Sequence, residues 1–162
     1  MVAVLLCLAS FASAAQQDDS LGMTSTEVIS YYNATISALL GAEGETSTIK
    51  EAKYLISNEF DLMSTKVESC DILFHIYKNG NIGFIHISVS KDNPNRVEAI
   101  SGAALLFMVA VTKGQGLEDM KVFVGNIKNA INSKEEATEI KFRGIRYKII
   151  TAGEAIQCVI LR

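Results

Sequence analysis

Ile72-Leu73-Phe74-His75-Ile76-Tyr77-Lys78-Asn79-Gly80-Asn81-Ile82-Gly83-Phe84-Ile85-His86-Ile87-Ser88 is the stretch on which the fold turns. Apolar residues alternate on both sides of Asn79-Gly80, and these two residue types tolerate the positive φ angles that a two-residue type I′ turn requires. A β-hairpin is expected, with strands over residues 70–78 and 82–90. The turn sets Phe74 opposite Ile85, Ile76 opposite Gly83 and Ile72 opposite Ile87, an apolar surface for the core. Side chains alternate along a strand, so Leu73, His75, Tyr77, Ile82, Phe84, His86 and Ser88 share the other face. That face is unusually aromatic and aliphatic for one bathed in water. Two occupants are expected for it: a partner or second copy docking on Leu73, Tyr77, Ile82 and Phe84, or the first helix or the 49–59 segment folded over it.

His75 and His86 are the chain's two histidines and project to that same face. With a carboxylate or water they are the candidate metal ligands for Zn²⁺, although a closed structural site takes four ligands and the sequence offers no further ones.

Upstream of the hairpin a strand is expected over 60–67, and the spacing Ile49, Ala52, Leu55 or Ile56, Phe60 suits a short second helix. A first helix is expected over 26–40, capped by Thr24 or Ser25 and ended by Gly41, with Val28, Tyr31 or Tyr32, Ile36 and Leu39 or Leu40 on its buried stripe. Asn33-Ala34-Thr35 matches a glycosylation sequon but falls inside this helix. Residues 15–24 are polar and read as a flexible lead-in.

Downstream, Pro94 at a first helical position and the Asn95 to Glu98 spacing of a capping box open a helix over 95–113 that is apolar on most sides and too short to span a bilayer. Gly114 to Gly116 breaks it, and an amphipathic helix follows over 117–132 with Leu117, Met120, Val124, Ile127 and Ile131 in one stripe. From Thr138 on, two or three strands are expected. The apolar parity changes between Phe142 and Ile145, which a bulge at Arg143-Gly144 would absorb, and Ala152-Gly153-Glu154 turns the chain into a last strand. That register gathers Lys141, Arg143, Arg146 and Lys148 into a basic stripe, either a candidate site for an acidic partner protein, a lipid head group or a polyanionic glycan, or a solvated outer face that protects the sheet edges. The order of elements is α(α)βββααββ(β), an α+β domain in which an antiparallel sheet, a three-stranded meander plus a C-terminal hairpin, packs on a helical layer over 25–162.

Composition narrows the function. Hydrophobic residues make up 49% of the 162, which excludes disorder for the bulk of the chain. A net charge of −3 from 15 basic and 18 acidic residues excludes a general field for nucleic acid. Val2 to Ala9 form an apolar run without charge, and Ala12 and Ala14 supply the small side chains of a cleavage site, so residues 1–14 read as a signal peptide cut after Ala14. The usual leading Lys or Arg is missing, the first basic residue being Lys50, and a buried segment of a cytoplasmic protein is the alternative. Cleavage removes Cys7 and leaves Cys70 and Cys158, either as one disulfide or as two buried thiols. No Gly-x-Ser-x-Gly elbow is present, and Asp61, Glu68 and Asp71 read as single carboxylates at strand ends, so no catalytic residues, no cofactor and no enzyme activity are expected. The reading that follows is a secreted or periplasmic binding protein, an inhibitor, immunity factor or chaperone-like subunit, that meets a protein partner or itself through its sheet. A small envelope enzyme or metal or ligand binder centred on His75 and His86 is the alternative.

Overall fold

The computed structural model describes residues 19–41, 44, 47–56, 59–115 and 117–162. The signal peptide expected over 1–14 lies outside them. The order is α1 (Ser25–Leu40), β1 (Lys53–Ile56), β2 (Phe60–Val67), β3 (Cys70–Tyr77), β4 (Ile82–Ser90), α2 (Arg96–Val111), a 3-10 turn (Leu117–Asp119), α3 (Met120–Ile131), β5 (Ala137–Phe142), β6 (Ile145–Ile150) and β7 (Ala155–Leu161). The strands form one antiparallel sheet in the order β1-β2-β3-β4-β7-β6-β5, with the helices packed on one face: the expected α+β architecture.

The hairpin forms, but its turn is one residue longer than a type I′ loop. The Gly80 amide donates to the Tyr77 carbonyl and the Tyr77 amide to the Asn81 carbonyl, both at 2.8 Å, while Gly80 alone takes a positive φ of 85°. Lys78, Asn79 and Gly80 therefore make a three-residue loop, a turn closed by a left-handed glycine. Tyr77 then faces Asn81 and Ile76 faces Ile82, until a bulge beside Gly83 restores Phe74 to Ile85 and Ile72 to Ile87. Ile82 is thus moved to the helical side, where it is wholly buried, and does not belong to the opposite face as expected. Glycine is required at the bulge: a Cβ on Gly83 would stand 2.7 Å from Tyr77 Cζ and 3.0 Å from His75 Nδ1.

Capping fixes α1 at its start. The Thr24 hydroxyl accepts from the Glu27 amide, the Glu27 carboxylate accepts from the Thr24 amide at 2.8 Å, and this bond holds the Glu27 carboxyl below its usual range. Of the alternatives on its stripe the core takes Tyr32, leaving Tyr31, Leu39 and Leu40 exposed. The part of the lead-in that is described, 19–24, is held and not flexible: the Leu21 amide donates to Ile82 O, the Ile82 amide donates to Met23 O, and Leu21 and Met23 are buried.

No helix forms over 49–60 among the described residues. Asn33 clamps the backbone of Ile49 from both sides, its amide donating to Ile49 O at 3.0 Å and its Oδ1 accepting from Ile49 N at 2.8 Å; the chain then enters the edge strand β1. Pro94 stands before the N-cap of α2, and no side-chain capping bond forms there; Asn93 Oδ1 instead accepts from the Asn95 amide at 2.8 Å. In α3 the buried stripe runs through Phe123, Ile127, Ala130 and Ile131, with Val124 at its margin.

At Arg143-Gly144 the parity change has a different cause from the one expected. Both residues have positive φ, 49° and 77°, and Phe142 pairs directly with Ile145, so this is a two-residue hairpin turn and not a bulge.

Cys70 and Cys158 are free thiols, both buried. β4 lies between β3 and β7, with Ile87 paired to Ile72 on one side and to Cys158 on the other. Two strand spacings separate the cysteines by about 10 Å or more, beyond the roughly 4.4–6.8 Å between Cα atoms that a disulfide spans. Of the two alternatives the disulfide is therefore ruled out by strand order and the two buried thiols are found, and burial pushes them up to about 11 and about 12.

On the helical side Tyr32 and Phe74 both pack on Phe107, at ring separations of 4.7 and 5.7 Å, and Phe123 packs on Tyr147 at 4.8 Å. Among the described residues these rings belong to one hydrophobic core cluster.

Candidate functional site

Pairing across the sheet places the side chains of its second face in rows. One row runs Leu55, Leu62, His75, Phe84, Leu161, Arg146, Lys141, and the next runs Lys53, Ser64, Leu73, His86, Val159, Lys148, Glu139. All three helices pack on the other side, α1 against α2, α2 against β4, β7 and β3, and α3 against β5 and β6. Among the described residues no helix covers this face, so the expectation that α1 or the 49–59 segment would seal it is not met. The clamp holds Ile49 to α1, and Lys53–Ile56 pair with β2 at the edge of the sheet instead.

Four rings gather at one end of the face. His75 stacks on Phe84 at 4.7 Å and 11°, meets Phe60 at 4.4 Å and takes Tyr77 edge-on at 5.3 Å. The imidazole is 5% exposed and neither of its nitrogens has a hydrogen-bond partner among the described residues. His86, 3% exposed, reaches Gln157 Oε1 from its Nε2 at 2.9 Å. Burial pushes both imidazoles below the usual histidine range, and the Gln157 bond opposes this in part for His86.

Of the expected docking residues, Leu73, Tyr77 and Phe84 lie on this face half-buried, and Ile82 does not. Phe60, Leu62, Val159 and Leu161 complete the apolar centre. Their alternation along 60–67 and 155–161 was the available signal, and it went unused because the sheet order was unknown.

The two histidines occupy diagonal positions on neighbouring strands, but no group of three or more His, Cys, Asp or Glu that could hold a metal exists among the described residues. The carboxylates singled out in the sequence do not converge. Asp61 is bound by Lys78 at 2.5 Å, Glu68 accepts from the Ser47 hydroxyl, and Asp71 stands 3.7 Å from Lys66.

Of the expected basic stripe, three residues share the face. Lys141, Arg146 and Lys148 line its β5–β6 flank, with Arg146 donating from Nε and Nη2 to the Arg162 carbonyl at 2.8 and 2.6 Å. Arg143 departs: it sits in the turn, and its Nη2 reaches Glu118 at 2.6 Å and Asp119 at 2.7 Å in the 3-10 turn that leads into α3. A third row runs Lys66, Asp71, Ser88, Gln157, Ile150. With Lys53 and Lys66 on the opposite flank, and Asp71 and Glu139 as the acidic residues of the three rows, basic side chains outnumber acidic ones here although the chain carries −3.

No family model matches the chain, and no curated protein and no solved structure is significantly similar to it. No helix among the described residues is long and apolar enough to cross a membrane.

Proposed function

We propose that this chain is a binding protein that works by contact, docking the apolar strip of a partner protein on the open face of its sheet. The observation that supports this most directly is a contiguous apolar centre, Leu62, Leu73, Phe84, Val159 and Leu161 around the His75 ring cluster, on a face that carries no helix among the described residues. Leu62, Leu73, Phe84 and Leu161 are half-buried and keep part of their apolar surface in water, as residues of surfaces used for association do, while Val159 is buried between them. Basic residues on both flanks favour a partner whose strip is bordered by carboxylates, and disfavour a second copy laid face to face, since like charges would meet. The apolar run before Ala14 favours a setting outside the cytoplasm.

The test is site-specific photocrosslinking in the native host. A benzophenone amino acid at Tyr77 or Leu73 is expected to form a discrete adduct whose mapped peptide is apolar with flanking Asp or Glu, and Phe84→Glu is expected to remove it. The same probe at Val122, exposed on α3, is the control. Equal adducts from both faces, or adducts to lipid or to the chain itself alone, would overturn the reading.

A further inference from the structure

The two edges of the sheet differ in how they meet water. β5, at one end, exposes Glu139 and Lys141 and keeps Ile140 and Phe142 packed against the core, the pattern by which charge stops an edge from pairing with another chain. β1, at the other end, has no such protection beyond Lys53. Its Tyr54, Leu55 and Ile56 are 63%, 60% and 76% exposed, and among the described residues no strand pairs with its outer side.

This apolar edge is held in place. Asn33 binds both backbone groups of Ile49 just before it, the Thr65 hydroxyl donates to Glu51 O at 2.6 Å, and all four residues of β1 pair with β2. The outer N–H and C=O groups of an edge strand are a template that another extended backbone satisfies, and a strand already fixed in its paired form loses little freedom on pairing. The group that fits β1 is therefore another strand.

The residues of β1 suit a second copy of themselves. Two copies related by a two-fold axis through the sheet pair antiparallel, and the residue at the axis lies opposite itself. With the axis at Ala52, Leu55 would have to pair with Ile49, whose backbone Asn33 already occupies. With the axis at Lys53 two ammoniums meet, and with the axis at Leu55 Glu51 lies opposite Glu59. An axis at Ile56 carries the ladder into the turn toward β2. With the axis at Tyr54 no like charges stand opposite: the tyrosines meet, Leu55 lies beside the aliphatic stem of Lys53, and Ile56 lies over the small Ala52.

We propose that the chain forms a two-fold dimer in which β1 pairs with β1 of a second copy about Tyr54, joining the two sheets into one. Tyr54 stands on the helical side, in line with Met63 and Phe74, and Leu55 on the open side, in line with Leu62 and His75, so the pairing withdraws apolar side chains from water on both faces. It also sets the two open faces side by side.

Sedimentation velocity of the isolated full chain tests this without the docking partner. A reversible equilibrium of monomer and dimer is expected in the micromolar range. Tyr54→Lys, a change at an exposed side chain, sets two ammoniums opposite each other and is expected to weaken the dimer by about tenfold, whereas Val122→Lys, on the exposed side of α3, leaves it unchanged. In a Cys7→Ser background, Tyr54→Cys is expected to give a disulfide-linked dimer on mild oxidation, because the opposed Cβ atoms come within disulfide reach; Ile56→Cys is not, because its counterpart lies further along the strand. A monomer throughout the micromolar range, a dimer indifferent to Tyr54→Lys, or a disulfide that forms as readily from Ile56→Cys as from Tyr54→Cys would each overturn the proposal. So would a dimer lost in Phe84→Glu, which would place the contact on the open face.

Discussion

Both faces of the sheet are apolar at their centre, but among the described residues only one has a helical layer upon it. On the covered face Phe74, Ile85, Ile87, Tyr147 and Cys158 are wholly buried, and the rings of Tyr32, Phe107 and Phe123 come down from the helices to fill the space between. On the open face Leu73, Phe84 and Leu161 keep part of their surface in water, while His75 and His86 beside them are buried. A covered face stabilises the fold by removing apolar area from solvent; an open one of similar chemistry leaves part of that gain to be made on association.

Truncating one ring on each face separates the two roles. Phe74→Ala removes a fully buried ring packed on Phe107 and is expected to cost about 3–5 kcal/mol. Phe84→Ala removes a half-buried ring stacked on His75 and is expected to cost roughly 1–2 kcal/mol, in line with the smaller apolar area withdrawn from water. Urea denaturation measures both. The order should invert for partner capture, where Phe84→Ala abolishes the Leu73 crosslink and Phe74→Ala, where it still folds, preserves it. Equal costs would mean that the open face is already sealed in the free protein.

Alternation in 72–88 was enough to place the hairpin and to separate the two faces, because register in a half-buried strand is tied to the period of two. The face of Ile82 was not legible. Asn-Gly suits the type I′ loop and equally the three-residue loop closed by a left-handed glycine, and only the later bulge at Gly83 tells them apart. β1 was missed because Lys53–Ile56 is short and exposed throughout, so burial imposes no strand period, whereas Ile49, Ala52, Leu55 and Phe60 happen to fall at helical spacing. The basic stripe was read from parity, which places Lys141, Arg146 and Lys148; Arg143 escapes it because a turn residue belongs to neither face.

The buried imidazoles sharpen the comparison by pH, since both histidines of the chain lie on the open face. His75 and His86 have folded pKa values below the ordinary one of about 6.5. Above that value both states are neutral and the histidines leave stability unchanged. As pH falls below it, the unfolded chain takes up protons that the folded chain refuses, so stability drops until the folded pKa is reached. The thermal midpoint is expected to fall between pH 7.5 and pH 5, and His75→Leu, which keeps an apolar side chain under Phe84, is expected to make that fall shallower. An unchanged slope in His75→Leu would show that His75 is solvated in solution and that the ring cluster is open.

The smallest effect is expected at Arg143, where two small contributions oppose each other. The residue holds a φ of 49°, a left-handed conformation that glycine adopts without strain and other residues do not. Its guanidinium in return bridges Glu118 and Asp119, ion pairs on an exposed surface that water and salt weaken. In Arg143→Gly the relief of the first offsets the loss of the second, so the thermal midpoint is expected to stay close to the parent at low salt and to rise above it in high salt, where the parent's ion pairs are screened. Because the side chain turns toward the 3-10 turn, the same variant is expected to leave the Leu73 crosslink intact, whereas Lys141→Ala with Arg146→Ala and Lys148→Ala weakens it. A crosslink lost in Arg143→Gly alone would return Arg143 to the open face and make the docking surface wrap around the β5–β6 turn.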